Sequence, residues 1–201
     1  MNKYIEEYKQ YVNKIGNRLG LYRLVTNKYN VSSALYPGSH IDIDPSLVIS
    51  KVTYIDNFEG AIKFFKNIDV IREYLETNKE YNSHCDINFL AEDYTKLLNV
   101  VNVDLIISQY AGFVGQATKK YLKVGGILLC NDSHGDATLA KFDNDFEFIG
   151  IVESNNKIMS NNLDEYFKLP RDKSIDLDIV RTKMKGLKYI VMADNYIFRR
   201  V

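Results

Sequence analysis

The sequence has few cysteines, no long apolar run and no excess of charge of either sign. Its two cysteines, Cys85 and Cys130, lie far apart and form no C-x-x-C pair, which excludes a zinc knuckle or a disulfide scaffold and suits a reducing, cytoplasmic setting. No stretch approaches the ~18 apolar residues of a membrane span, and Met1-Asn2-Lys3-Tyr4-Ile5-Glu6-Glu7 lacks the apolar core of an export signal. Lys and Arg total 26, as do Asp and Glu, so no global field draws the chain to nucleic acid or to an acidic membrane surface. Repeats, low-complexity tracts and linkers are also missing, and a single domain over residues 1–201 is expected.

What is present is an ordinary core. Hydrophobic residues make up 46% and charged residues 26%, the balance of a folded chain rather than a disordered one. Tyr4, Ile5, Tyr8, Val12, Ile15 and Leu19 recur at helical spacing and predict an amphipathic helix over residues 3–20, within an N-terminal helical segment of residues 1–30. From Val31 onward, short apolar runs alternate with helix-period segments, the pattern of crossover units and a mostly parallel sheet. Strands are expected to end near Leu35 and at Ile55, Leu90, Ile107 and Cys130, with helices over 60–76 and 114–122. Asp44-Pro45 reads as a helix start and Lys123-Val124-Gly125-Gly126 as a helix stop. Residues 146–152, and either 189–192 or 196–201, bring the count to about seven strands; 155–162 reads as a polar loop and 176–187 as helical. The expected class is therefore α/β, a doubly wound, mostly parallel Rossmann-like sheet flanked by helices, with its core in 31–152 and a variable C-terminal part in 153–201.

In open α/β sheets ligands bind outside the carboxyl ends of the strands, and polar residues collect at those ends here. Tyr36, Pro37, Gly38, Ser39 and His40 follow the first strand, Asp56 the second, Asp93 and Tyr94 the third, Ser108 and Gln109 the fourth, and Asn131, Asp132 and His134 the fifth. Gly38 permits a sharp turn and close approach of backbone to a ligand, or simply an ordinary turn after Pro37. Asp56 is placed either to accept two vicinal ribose hydroxyls or to cap the helix after it. Asp93 and Tyr94 read equally as a cap and a part-buried aromatic, and Ser108 as a group satisfying backbone at a strand end. Asp132 and His134 are candidate bases. His40 and His84 have no ligand partner at metal-site spacing, and Cys130, with Cys85, reads as a buried small hydrophobe rather than a nucleophile.

These segments resemble the class I, Rossmann-fold S-adenosylmethionine-dependent methyltransferases over roughly residues 31–152. Leu122-Lys123-Val124-Gly125-Gly126-Ile127-Leu128-Leu129 is similar to the run that introduces the family's fifth strand, Val103-Asp104-Leu105-Ile106-Ile107-Ser108 to its fourth strand, and Ala91-Glu92-Asp93-Tyr94 to its acidic turn. The resemblance implies that Tyr36, Pro37, Gly38 and Ser39 line the cofactor, that Asp56 holds its ribose, that Asp93 and Tyr94 border its adenine, and that Ser108 lies nearby. The family's acidic-x-Gly-x-Gly-x-Gly loop is matched by Tyr36-Pro37-Gly38-Ser39-His40-Ile41-Asp42, where His40 and Asp42 stand in place of the second and third glycines.

The implied activity is methyl transfer from S-adenosylmethionine to a small molecule or a protein side chain, with Asp132 or His134 as an optional base. Nucleic acid is disfavoured by the balanced charge and by Ser108-Gln109-Tyr110, which lacks the Asp/Asn-Pro-Pro-aromatic run of base-amino methyltransferases. The alternative is a non-catalytic protein of the same fold that binds a nucleoside-like ligand or a protein partner. A nicotinamide oxidoreductase, which needs a glycine-rich helix start for its pyrophosphate, has the least support.

Overall fold

The computed structural model describes residues 2–154 and 157–201; residues 155 and 156, part of the expected polar loop, lie outside the described residues. The chain divides into two compact units, with the boundary between Leu98 and Asn99.

The first unit begins with α1 (Lys3–Ile15) and α2 (Leu19–Tyr29). The expected single helix over 3–20 breaks because Gly16 adopts φ 84, and the Asn17 side chain then accepts the Leu19 N–H at 2.8 Å to start the next helix. Three strands follow, β1 (Ser33–Pro37), β2 (Lys51–Ile55) and β3 (Asp86–Leu90). All five residues of β1 are buried, the pattern of a parallel strand covered on both faces. Between β1 and β2, Asp44-Pro45 opens a short 3-10 turn, Asp44–Leu47, rather than an α-helix. The expected helix over 60–76 is two, α3 (Glu59–Phe65) and α4 (Ile68–Asn78). Asn67 interrupts it, donating from its side chain to the Lys63 carbonyl at 3.2 Å, a local bond that competes with helix continuation. Strands β1, β2 and β3 pair in parallel, with Pro37 level with Ile55 and Ile55 level with Leu90. Their carboxyl ends therefore open on one edge.

The second unit contains β4 (Val103–Ser108), α5 (Val114–Thr118), β5 (Leu122–Cys130), α6 (Asp136–Lys141), β6 (Phe146–Glu153), β7 (Lys157–Met159), α7 (Leu177–Lys183) and β8 (Asn195–Arg200). Strands β4 and β5 are parallel. Strand β8 runs against both β5 and β6, so β6 has the direction of β5. Strand β7 folds back on β6 and lies inside the stretch expected to be loop, which makes eight strands among the described residues rather than about seven. Residues 123–126 are not a helix stop: they belong to β5, where Gly125 takes φ 80 and the pairing with β4 shifts register between Val103 and Leu105, as a bulge requires. Of the two candidate last strands, residues 189–192 are not extended and 195–200 are. The core here is aromatic as well as aliphatic: Phe167 and Tyr196 centroids lie 4.9 Å apart, and Leu128, Leu129, Ile197 and Phe198 are all buried. Among the described residues no helix is long and apolar enough to cross a membrane. Cys85 and Cys130 are both buried, free thiols.

Candidate functional site

At the edge where β1, β2 and β3 end, Asp56 is the hub. Its Oδ2 accepts the His40 N–H at 2.8 Å and its Oδ1 accepts the Phe58 N–H at 2.8 Å. The carboxylate thus fixes the chain ahead of α3, and each oxygen keeps a further lone pair for a ligand. Gly38 donates its N–H to Ile55 O at 2.7 Å and turns with φ 65, while His40 turns with φ 49, the left-handed region that glycine enters most readily. The His40 imidazole lies flat on Tyr11 of α1, with centroids 4.8 Å apart and planes 7° from parallel. On another side it meets Phe58 at 5.4 Å. Its Nδ1 is buried and has no hydrogen-bond partner among the described residues.

S-adenosylmethionine requires close backbone approach after β1 and an acceptor after β2. The left-handed turns at Gly38 and His40 and the remaining lone pairs of Asp56 fit that requirement. The His40 ring is bulk that a glycine would not place in the turn whose N–H the carboxylate holds.

Tyr36 points into the interior rather than along this edge. Its hydroxyl and that of Tyr22 donate to Asp42 Oδ2 at 3.1 and 2.8 Å, and Arg18 reaches the same oxygen at 3.5 Å. Asp42, which takes the third glycine's position, is fully buried; burial and the neighbouring Asp44 carboxylate push its pKa up. Asp44 in turn receives the Tyr8 hydroxyl, and burial raises its pKa too. Desolvation, followed by these carboxylates, holds Tyr8, Tyr22 and Tyr36 well above the usual phenol range, so all three remain donors at neutral pH. Pro37 ends β1 and is buried. Ser39 is buried as well, and its carbonyl accepts the Asp42 N–H at 3.0 Å. After β3, Asp93 turns on its own loop, accepting the Thr95 N–H at 2.9 Å and hydroxyl at 2.7 Å, which lowers its pKa. Tyr94 is half-buried beside it. A cavity of about 300 Å³ in this unit is lined by Tyr8, Asn13, Asp44 and Tyr74, not by the strand-end residues.

In the second unit, Ser108 donates to Asp136 Oδ2 at 2.6 Å, and the Gly115 N–H lies 2.9 Å from the same oxygen. A side chain at Gly115 would meet that carboxylate: a Cβ there stands 3.1 Å from Asp136 Oδ1. Asp132 accepts the Thr138 N–H at 2.7 Å and hydroxyl at 2.8 Å, and the Thr138 hydroxyl is also 2.7 Å from that of Tyr189. Burial pushes Asp132 and Asp136 each up to about 6. His134 does not bond Asp132 among the described residues; its Nδ1 meets Ser133 Oγ at 2.9 Å. Ser133 donates to Asn131 Oδ1 at 2.7 Å, Asn131 to Gln109 Oε1 at 3.2 Å, and Gln109 to Asn195 Oδ1 at 2.7 Å. This chain joins the ends of β4 and β5 to the start of β8.

No family model matches the sequence, and no match to a curated protein is found. In structure the chain is similar to TehB from Haemophilus influenzae, with a TM-score of 0.54 at 16% identity over 90% of this chain and 62% of that one. It therefore spans less than two thirds of TehB. It is also similar to a methyltransferase from Geobacter sulfurreducens, with a TM-score of 0.51 at 11% identity over 75% of this chain and 84% of that one. A proposed O-methyltransferase from Klebsiella pneumoniae gives 0.51 at 7% identity over 71% and 76%. The fold is that of the class I methyltransferases.

At such identities the likeness reaches the methyltransferase fold and stops there, so site residues rest on their own geometry. The structure brings Gly38, His40 and Asp56 together, and separately Ser108 with Asp136. Sequence reasoning missed Asp136, Tyr22, Arg18 and Asn195. Only Asp136 left a trace, as an acidic residue soon after Asp132; nothing local marks a group whose partners are distant in sequence.

Proposed function

We propose that the protein is an S-adenosylmethionine-dependent methyltransferase acting on a small molecule or a protein side chain. The observation that carries this reading is Asp56, a carboxylate at the level end of parallel strands, beside the left-handed turn of Gly38. Bound there, S-adenosylmethionine supplies an electrophilic methyl group. Asp56 accepts the ribose hydroxyls. Pro37, Gly38 and Ser39 shape the wall of the site, Tyr36 supports it from the interior through Asp42, and Asp93 and Tyr94 border the adenine. Ser108 acts through its bond to Asp136, fixing the end of β4. His134 takes a proton from the acceptor at Nε2, since its Nδ1 is engaged with Ser133, and Asp132 holds the start of α6 through Thr138. Alignment of two reactants can lower a barrier by ~7–11 kcal/mol, so few reactive side chains are needed. The balanced charge supports a small molecule or protein acceptor over nucleic acid.

One observation favours the second reading, a non-catalytic protein of this fold: a His40 side chain, packed on Tyr11 and Phe58, in the turn that Asp56 holds. Isothermal titration of S-adenosylmethionine and S-adenosylhomocysteine into wild type and Asp56→Ala separates the readings. Saturable binding that weakens about tenfold to a hundredfold in the variant is expected, the range for a charged hydrogen-bond acceptor. Binding without methyl transfer to any fraction of a cell extract would favour the second reading; no binding by well-folded wild type would overturn the cofactor assignment.

A further inference from the structure

His40 is held in a way that its surroundings must enforce. A left-handed backbone is a sparsely populated state for a residue with a Cβ, and such states persist where neighbouring packing over-determines them. One feature opposes the observed ring position: a buried Nδ1 without a hydrogen bond among the described residues, a desolvation cost with no return. Two features favour it: the parallel stack on Tyr11 and the tilted contact with Phe58. Phe58 can sit there because residue 60 is glycine; a Cβ at Gly60 would lie 2.6 Å from the Phe58 ring. Phe58 is also 57% exposed, so nothing heavy locks the outer wall.

We infer that His40 is a built-in occupant of the nucleoside site: its imidazole, clasped between Tyr11 and Phe58 in the turn whose backbone N–H Asp56 holds, fills the slot for a planar heteroaromatic ligand, which enters when the ring swings out. This rests on the reading that Asp56 faces a nucleoside. The slot has the character of a base-binding site, two aromatic faces with the backbone of His40 and of Phe58 fastened to one carboxylate, and the imidazole is a planar heterocycle already using it. Apparent affinity is then the intrinsic affinity reduced by the fraction of molecules with the ring withdrawn.

The test is isothermal titration of S-adenosylhomocysteine into wild type, His40→Gly, Tyr11→Leu and the double variant His40→Gly/Asp56→Ala. Glycine suits the backbone at position 40, so that variant folds. His40→Gly is expected to bind about tenfold tighter than wild type, the gain for a competent state populated at a tenth. Tyr11→Leu, which removes one aromatic face from ring and ligand alike, should show no such gain, and the double variant should lose it. Binding by His40→Gly alone, with none by wild type, also supports the inference. If wild type binds and His40→Gly binds no tighter, the inference fails and the cofactor reading stands. If the double variant keeps the gain, the ligand sits elsewhere and the inference fails. If no variant binds, both fall together.

Discussion

Asp42 in the first unit and Asp136 in the second are equally sealed from solvent, yet they are satisfied by different chemistry. Asp42 Oδ2 draws on three side chains, the phenols of Tyr22 and Tyr36 and the guanidinium of Arg18. Among the described residues, Asp136 draws on the Ser108 hydroxyl and the backbone N–H groups of Gly115 and Gln116, with no cation. A carboxylate met by long side chains tolerates bulky neighbours and shares its load. One met by backbone needs glycine close by, as does Asp132, whose carbonyl oxygen would lie 1.8 Å from a Cβ at Gly186. The first unit is thus redundant and the second tight-fitting, and perturbations should separate them.

The largest effect is expected from Gly186→Ala. Neither atom nearest the new methyl can retreat easily, since the carbonyl of Asp132 is backbone and its Oδ2, 2.5 Å from the Cβ site, is fastened to Thr138. Overpacking of this kind costs about 3 kcal/mol, a fall in Tm of roughly 6–12 °C for a chain of this size. A melt within about 2 °C of wild type would show that the second unit is looser than the comparison holds.

Next comes pH. Asp136, at an ordinary 3.8 when unfolded and about 6 when folded, binds more protons in the native state between those values. Its contribution is therefore fully present below about pH 4 and is lost as pH rises through about 6, a swing on the order of 3 kcal/mol. Asp136→Asn removes that swing. The amide oxygen can still accept from Gly115, and the Ser108 hydroxyl can turn to accept from the amide nitrogen. Urea unfolding at pH 4 and pH 7 should show the variant's stability falling less than wild type's; equal falls would mean that Asp136 is not held as an ionised, desolvated group.

How far these features were legible in the sequence divides along the same line. Most strand positions were readable, because a run such as Val103–Ser108 is apolar whatever its partners, but the short, half-polar β7 and the start of β5 were not. The loop after β1 was readable as altered, from His40 and Asp42 in glycine positions. What those two residues do was not, since Tyr11 and Tyr22 come from the two N-terminal helices and Arg18 from the break between them, and spacing along the chain says nothing of a meeting in space. The same holds for Gly125, which read as the end of a helix but relieves a bulge in β5. Local pattern cannot distinguish those uses of a left-handed glycine. It could not reveal Gly186 either, whose role is defined by the Asp132 backbone pressed against it.

The smallest effect is expected from Tyr22→Phe. It removes the shortest of the bonds to Asp42 Oδ2, at 2.8 Å, but leaves Tyr36 at 3.1 Å and Arg18 at 3.5 Å on the same oxygen. Loss of one hydrogen bond to a charged acceptor costs about 1.5–3 kcal/mol, and two remaining donors should hold it at the lower end. Ser108→Ala, by contrast, deprives Asp136 of its only side-chain donor among the described residues and should cost about 3 kcal/mol, the upper end of that range. Paired urea titrations of the two variants measure the difference directly. If Tyr22→Phe proves the more damaging, the phenols and Arg18 do not share the load, and Asp42 depends on a single bond despite the crowd around it.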